Sequence, residues 1–360
     1  MRNPYHSLPK SSFWKPSIAD RNMLEIRDLW ISKNTISQSD TVATAGSCFA
    51  QHISRAMIQN GFHWIDAEPA PDHLSDEDAK AFGYGVFSFR TGNIYTATLL
   101  RQWVEAAFNV TPLDEELWEH SGRIFDPMRP AIEMNGFAST HECLALRRHS
   151  LHAMRNVLSN VDLFVFTLGL TESWRNRDTG FVYAACPGTL AGSYSEAEHE
   201  FYNQTYPEIF RDMQAVLDLI REHNPKVKFL LTVSPVPLVA TAAQQHVLLS
   251  TTYSKSVLRA VAGDLATLRE DTDYFPSFEI INSTPFRGSF FMPNQREVSS
   301  AGVDFVMKHF FAGLKFQQYQ PEVEKKSHET GLIRDSQIFQ ADREGNDIQC
   351  EEALLEAFSK

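Results

Sequence analysis

The chain lacks any long apolar run: nowhere in its 360 residues do the roughly 18 uncharged apolar residues of a membrane helix stand together. No membrane partner is therefore expected. The opening MRNPYHSLPKSSFWKP carries no apolar core of a secretion signal either. Cysteine is scarce, and Cys48, Cys143, Cys186 and Cys350 lie far apart with no C-x-x-C pair. That spacing argues against a zinc cluster or a dense disulfide scaffold and suits a reducing, cytoplasmic setting. Basic charge is short as well. Lys and Arg number 33 against 45 Asp and Glu, a net charge of −12. No basic surplus is present to neutralise phosphates, so nucleic acid is not an expected partner. Internal repeats and low-complexity tracts are also missing.

What is present has the make-up of a soluble globular protein, 43% hydrophobic and 22% charged. Residues 1–40 read as an irregular arm rich in Pro, Ser and aromatics, with Tyr5, Phe13, Trp14 and Trp30 as anchors in surface grooves. DTVATAG (40–46) reads as a buried strand and QHISRAMIQNGF as a helix, with Phe49, Ile53, Ala56 and Met57 on one face. Residues 66–160 read as a helical insertion. DHLSDEDAKAF carries an acidic solvated face, TATLLRQWVEAAFN is an amphipathic helix, and SFRTGNIYT (88–96) between these two is a loop; HECLALRRHSLHAMRNVLSN (141–160) is a second helix.

The periodicity then changes. VDLFVFTLG (161–169) and KVKFLLTVSPVP (226–237) are short continuous apolar runs, the pattern of strands covered on both faces. YFPSFEIIN (274–282) is expected to be a further strand. Helices are expected at TYPEIFRDMQAVLDLIREHNP, SKSVLRAVAGDLATLRE and SSAGVDFVMKHFFAGL. This alternation predicts an α/β domain over 41–315, a parallel sheet with helices on both faces. Residues 316–360 form an acidic tail. From residue 320 it holds ten Asp and Glu against five Lys and Arg, with EEALLEAF as a small helix. Such a tail reads as a loosely attached segment or one that joins copies of the chain into a homo-oligomer.

In open parallel sheets ligands sit beyond the carboxyl ends of the strands. The residues following the apolar runs are Gly46-Ser47-Cys48, Gly169-Leu170-Thr171-Glu172, Ser234-Pro235 and Asn282-Ser283-Thr284. A serine at a strand-to-helix junction can expose its hydroxyl at the sheet edge and leave its own N–H free at the helix N-terminus. Ser47 is then either a nucleophile that also helps hold an oxyanion, or simply the cap of the helix. Cys48 reads as a small buried filler.

AGSCFAQHI, followed in order by RTGNIYTATLL, FTLGLTESW, VSPVPLVATA and GVDFVMKHFF, resembles the GSCFA family, itself similar to the SGNH (GDSL-type) hydrolases. The resemblance spans roughly residues 1–315 and implies a three-layer, flavodoxin-like fold. It implies Ser47 as nucleophile, Gly92 with Asn93 beside it as oxyanion donors, and Thr171 where those enzymes place an asparagine. Gly169 and Ser234 belong to the same implied site. The Asp-x-x-His block that supplies the base falls at Asn294-Gln295-Arg296-Glu297, where both acid and histidine are missing. His246, on an expected loop after the KVKFLLTV strand, is the candidate base, with Glu172 or Glu297 as partner or substitute. His52, one turn into the helix after Ser47, points away in a regular geometry and is discounted; His141 and His149 are assigned surface or core roles.

Besides a purely structural protein that assembles through its tail, ranked last, two functions are open at this stage. One is a serine-dependent acyl-ester hydrolase or O-acyltransferase acting on an acylated glycan or small carbohydrate. It requires no metal or cofactor beyond an acyl-thioester donor of the CoA type if it transfers. The other is a non-catalytic relative that binds a sugar or nucleotide-sugar. Tyr95, Trp174 and Tyr183 lie near these blocks as rings able to stack on a sugar.

Overall fold

The apolar runs and the periodic segments fold, in the computed structural model, into ten strands and eight α-helices over the described residues 3–314 and 351–358. In chain order these begin with β1 (Thr41–Gly46), α1 (Ala50–Gln59), β2 (His63–Trp64), α2 (Asp76–Ala81) and α3 (Ala97–Ala107). A hairpin of β3 (Trp118–His120) and β4 (Arg123–Phe125) precedes α4 (Thr140–Leu158) and β5 (Leu163–Leu168). Then come β6 (Glu172–Asn176), β7 (Val182–Tyr183), β8 (His199–Asn203), α5 (Tyr206–His223) and β9 (Lys228–Val233). The rest is α6 (Val247–Leu268), β10 (Thr272–Phe275), α7 (Ser277–Asn282) and α8 (Ser300–Gly313).

Five strands, in the order β10-β9-β5-β1-β2, form one parallel sheet. Counted along the chain this is the 2-1-3-4-5 order of flavodoxin-like doubly wound folds. Side chains alternate across it. Ala43, Ala45, Phe164, Phe166, Phe229 and Leu231 face α3, α4, α5 and α6. Val42, Leu163, Val165, Leu230 and Phe275 face α1, α7 and α8. The three-layer α/β architecture read from the sequence is therefore the one observed. The segment expected as an insertion places α3 and α4 in one of the covering layers, with Trp103 fully buried between them and the sheet.

Three expectations need correction. YFPSFEIIN is not one strand: β10 ends at Phe275, Pro276 cannot donate to the ladder, and Ser277–Asn282 turns into α7. The Glu172–Asn203 stretch carries a second, antiparallel sheet, β7-β6-β8, absent from the sequence reading. In the arm only Trp30 is an anchor, wedged against Phe275 and Phe310. Tyr5 and Trp14 are 66% and 67% exposed, and Phe13 lies at the surface too. At the other end, EEALLEAF forms a 3-10 helix, Glu351–Phe358. The remainder of the acidic tail lies outside the described residues.

Candidate active site

The site begins where β1 meets β5. Gly46 sits at φ +131°, and a Cβ there would lie 2.4 Å from the Thr167 carbonyl oxygen and 2.7 Å from its nitrogen. Only glycine lets the chain leave β1 while pressed this close to β5. Ser47 follows, 2% exposed. Its N–H donates to the Thr167 carbonyl at 3.0 Å, so it is not the free helix-terminal donor expected. Nor is Ser47 the cap. The N-cap position of α1 is Phe49, without a side-chain cap bond. The Ser47 hydroxyl is instead buried with no hydrogen-bond partner.

A loop closes over this junction. Ile94 N–H donates to the Gly46 carbonyl at 2.9 Å, and the Tyr95 carbonyl accepts from Gly169 N–H (3.1 Å) and Leu170 N–H (2.9 Å). The RTGNIYT segment is thereby strapped across the ends of β1 and β5. Gly92 takes the left-handed conformation at φ +66°, and Asn93 beside it is buried. Gly169 packs on the serine: a Cβ at this position would lie 3.0 Å from Ser47 Cβ and 3.1 Å from Tyr95. Thr171 is fully buried; its N–H donates to Ser254 Oγ at 3.1 Å and its hydroxyl has no partner. Ser234 is tied into the turn after β9, its N–H on the Leu168 carbonyl and its Oγ accepting from Val236 N–H.

The loop is held from behind by buried charge. Glu68 accepts from Arg90 N–H (2.8 Å) and from Ser150 Oγ (2.7 Å), while Arg129 donates to the Arg90 carbonyl (2.7 Å) and to Ser150 Oγ. Asp126 pairs with both Arg129 (3.1 Å) and Arg147 (2.7 Å). Burial alone would raise the Asp126 carboxyl, but Arg147 and Arg129 outweigh it and hold the group below the usual carboxylate range.

The candidate base is displaced. Helix α6 begins at Val247, earlier than the periodicity suggested, and His246 is its exposed N-cap, with Nδ1 accepting from Leu248 N–H at 3.1 Å. No hydrogen bond joins it to Ser47, whose hydroxyl has none. Glu172 opens β6 and accepts from Thr241 Oγ1 at 2.8 Å; burial raises its carboxyl above the ordinary range. Glu297 is exposed, and its backbone closes the turn at 292–297. In that turn Arg296 occupies the stretch aligned with the Asp-x-x-His block, and its guanidinium lies 3.6 Å from Glu352 of the C-terminal 3-10 helix.

Lys255 joins the strand ends without any signal in the sequence. This lysine of α6 is 2% exposed, and its Nζ donates to the Gly169 carbonyl at 2.7 Å. Burial pushes its ammonium down to about 8. The Glu352 carboxylate and Cys48 pull the other way, and Arg296 adds to the lowering. Two of the thiols are not rival nucleophiles: burial pushes Cys143 up to about 12 and Cys186 up to about 11. Among the described residues no group of three His, Cys, Asp or Glu side chains is placed to hold a metal ion. No helix among them is long and apolar enough to cross a membrane.

Beside the strand ends lies a cavity of about 290 Å³, walled by Tyr95, Leu170, Glu172, Trp174, Tyr183 and Phe201, with Glu352, Leu355 and Phe358 contributed by the C-terminal 3-10 helix. Its wall is largely apolar, as small-molecule sites commonly are.

Comparison with solved structures gives distant likenesses. A carbohydrate esterase of family 3 from Talaromyces cellulolyticus is 11% identical with a TM-score of 0.35, over 76% of this chain and 96% of that one. A serine-to-alanine mutant of an acetyl esterase, solved with acetate ion, is 11% identical with a TM-score of 0.32, over the same shares. A protein described as a platelet activating factor from Streptococcus pneumonia is 13% identical with a TM-score of 0.26. That match covers 43% of this chain and 60% of the other, less than two thirds of its length. Likenesses of this size say nothing about reaction or substrate. No curated protein matches the sequence. The family model for GSCFA proteins matches residues 41–310, three quarters of the chain, and the protein belongs to the GSCFA family.

Proposed function

We propose that the protein is a serine-dependent acyl-ester hydrolase or O-acyltransferase of SGNH type, acting on an acylated glycan or small carbohydrate. The observation that carries this reading is the Ser47 hydroxyl, buried at the carboxyl end of β1 without a hydrogen-bond partner. A hydroxyl left so costs about 1–3 kcal/mol, which folding alone gives no reason to keep. In the proposed reaction Ser47 Oγ attacks the ester carbonyl. The Thr171 hydroxyl, the Asn93 amide and Gly92 N–H surround the developing oxyanion. Trp174, Tyr183 and Phe201 offer rings to a sugar or an acyl chain in the adjacent cavity.

Turnover of p-nitrophenyl acetate and of an acetylated sugar tests the reading. Ser47→Ala is expected to lower kcat/KM by about 10³-fold or more. Wild-type activity in Ser47→Ala overturns the reading. The absence of the Asp-x-x-His block favours a second reading, a sugar-binding relative without turnover. Saturable sugar binding with no hydrolysis by the wild type would establish that one instead.

A further inference from the structure

Helix α6 is turned the wrong way round for its composition. In its first half Leu248, Leu249 and Tyr253 are 64%, 59% and 40% exposed, while Ser250, Ser254 and Lys255 are buried. Burial of apolar surface would favour the opposite rotation. The polar stripe is instead engaged with the strand ends: Ser254 Oγ accepts from Thr171 N–H, and Lys255 Nζ donates to the Gly169 carbonyl. Gly169 is also the residue against which Ser47 packs. A lysine and a serine, both buried, therefore flank one glycine. Among the described residues, the charged and titratable groups that face Lys255 are Glu352, Cys48 and Arg296.

We propose that Lys255 is the proton acceptor for Ser47, a serine–lysine pair standing in for the absent Asp-x-x-His. The inference rests on the serine-ester reading above. Neutral Nζ takes the Ser47 proton as Oγ bonds to the ester carbonyl carbon and the carbonyl π pair moves onto its oxygen. Collapse of that oxyanion breaks the bond to the leaving alcohol oxygen, which receives the proton from the Lys255 ammonium. Water or an acceptor hydroxyl then attacks the acyl-serine; its proton passes to Lys255 and on to the departing Ser47 Oγ. The step requires Nζ to move on its flexible stem from the Gly169 carbonyl toward the hydroxyl, and catalytic hydrogen bonds commonly tighten only when substrate binds. Burial supplies the other requirement, an amine that is partly neutral near physiological pH: its ammonium is pushed down to about 8.

Steady-state hydrolysis of p-nitrophenyl acetate by the full chain, measured from pH 6 to 10, tests this. For the wild type kcat/KM is expected to rise with pH and level off above about 8, since the neutral amine is the active form. Lys255→Arg keeps the charge and the donor but cannot give up its proton, and is expected to lose about 10²-fold or more. Lys255→Ala is expected to regain activity with added small primary amines, at rates that follow the amine's basicity. That rescue distinguishes a base from a structural prop, and thermal melts of each variant confirm the fold. If Lys255→Arg keeps wild-type kcat/KM while Ser47→Ala is inactive, Lys255 is not the base and the serine reading stands. Lack of amine rescue in a folded Lys255→Ala overturns the inference in the same way. Full activity in Ser47→Ala overturns both.

Discussion

At the scale of single residues, the site is built from groups that folding alone would not choose. A glycine that tolerates no Cβ, a hydroxyl with no partner and an ammonium on a backbone carbonyl meet around the β1 and β5 ends. Lys255 carries a measurable consequence. Its pKa is about 8 in the folded chain against 10.5 for an ordinary lysine. Below pH 8 both states hold the proton and the cost of burying the charge is fully present. Between pH 8 and 10.5 the unfolded chain holds the proton that the folded chain has lost, so this contribution to stability rises with pH. Lys255→Met is therefore expected to be more stable than wild type at pH 7 by about 2 kcal/mol, allowing for the lost bond to Gly169. The gap should close as pH approaches 10.5, which urea unfolding of both proteins across that range will read. A gap independent of pH would contradict a buried, titrating lysine. Of these residues Ser47 was legible in the sequence, because a small residue after an apolar run and before a helical pattern marks a strand end. Lys255 was not, since periodicity assigns a lysine to solvent and nothing local signals otherwise.

Among elements, the long ones were legible and the short ones were not. β1, β5 and β9 are continuous apolar runs, and α3, α4, α5 and α8 carry apolar faces over several turns. The strands β6, β7 and β8 span at most five residues, too short for a period to show, and β6 and β8 carry mostly polar, half-buried side chains. α6 misled for the opposite reason. Its first half buries serines and exposes leucines, so the apolar periodicity begins late and His246 reads as a loop residue. The element that carries the RTGNIYT block is a loop with no ladder of its own, and the Asp126, Arg129, Arg147 and Glu68 network supplies its rigidity. Asp126→Ala leaves two buried guanidinium groups without their carboxylate and is expected to cost about 3–5 kcal/mol by chemical denaturation. The stabilising contribution of Asp126 is present above the ordinary carboxylate range and is lost as pH falls through its lowered folded value. A change under about 1 kcal/mol, well short of the cost of an unpaired buried charge, would mean that the arginines find other partners and that the loop is held some other way.

For the whole molecule, the two ends of the chain are drawn onto the sheet by different means. The arm contributes Trp30 to the core on one face of the sheet. The C-terminal 3-10 helix lies over the strand ends, with Leu355 and Phe358 in the cavity wall and the Glu352 carboxylate 3.6 Å from Arg296. This placement puts the tail beside the proposed base. Glu352 is the strongest influence opposing the effect of burial on Lys255, because a nearby carboxylate favours the ammonium. Glu352→Gln removes that charge and nearly conserves the shape, so the Lys255 ammonium should lose its proton at a lower pH. If Lys255 is the base, the rising limb of kcat/KM then moves below about 8 while the plateau above it changes little. A histidine base elsewhere in the fold would leave the limb unmoved. Phe358→Ala serves as the companion variant. It removes an apolar wall and no charge, so it should raise KM for esters with long acyl chains and leave the pH limb where it was. A shift of the limb in Phe358→Ala, or none in Glu352→Gln, would separate the tail from the proton transfer.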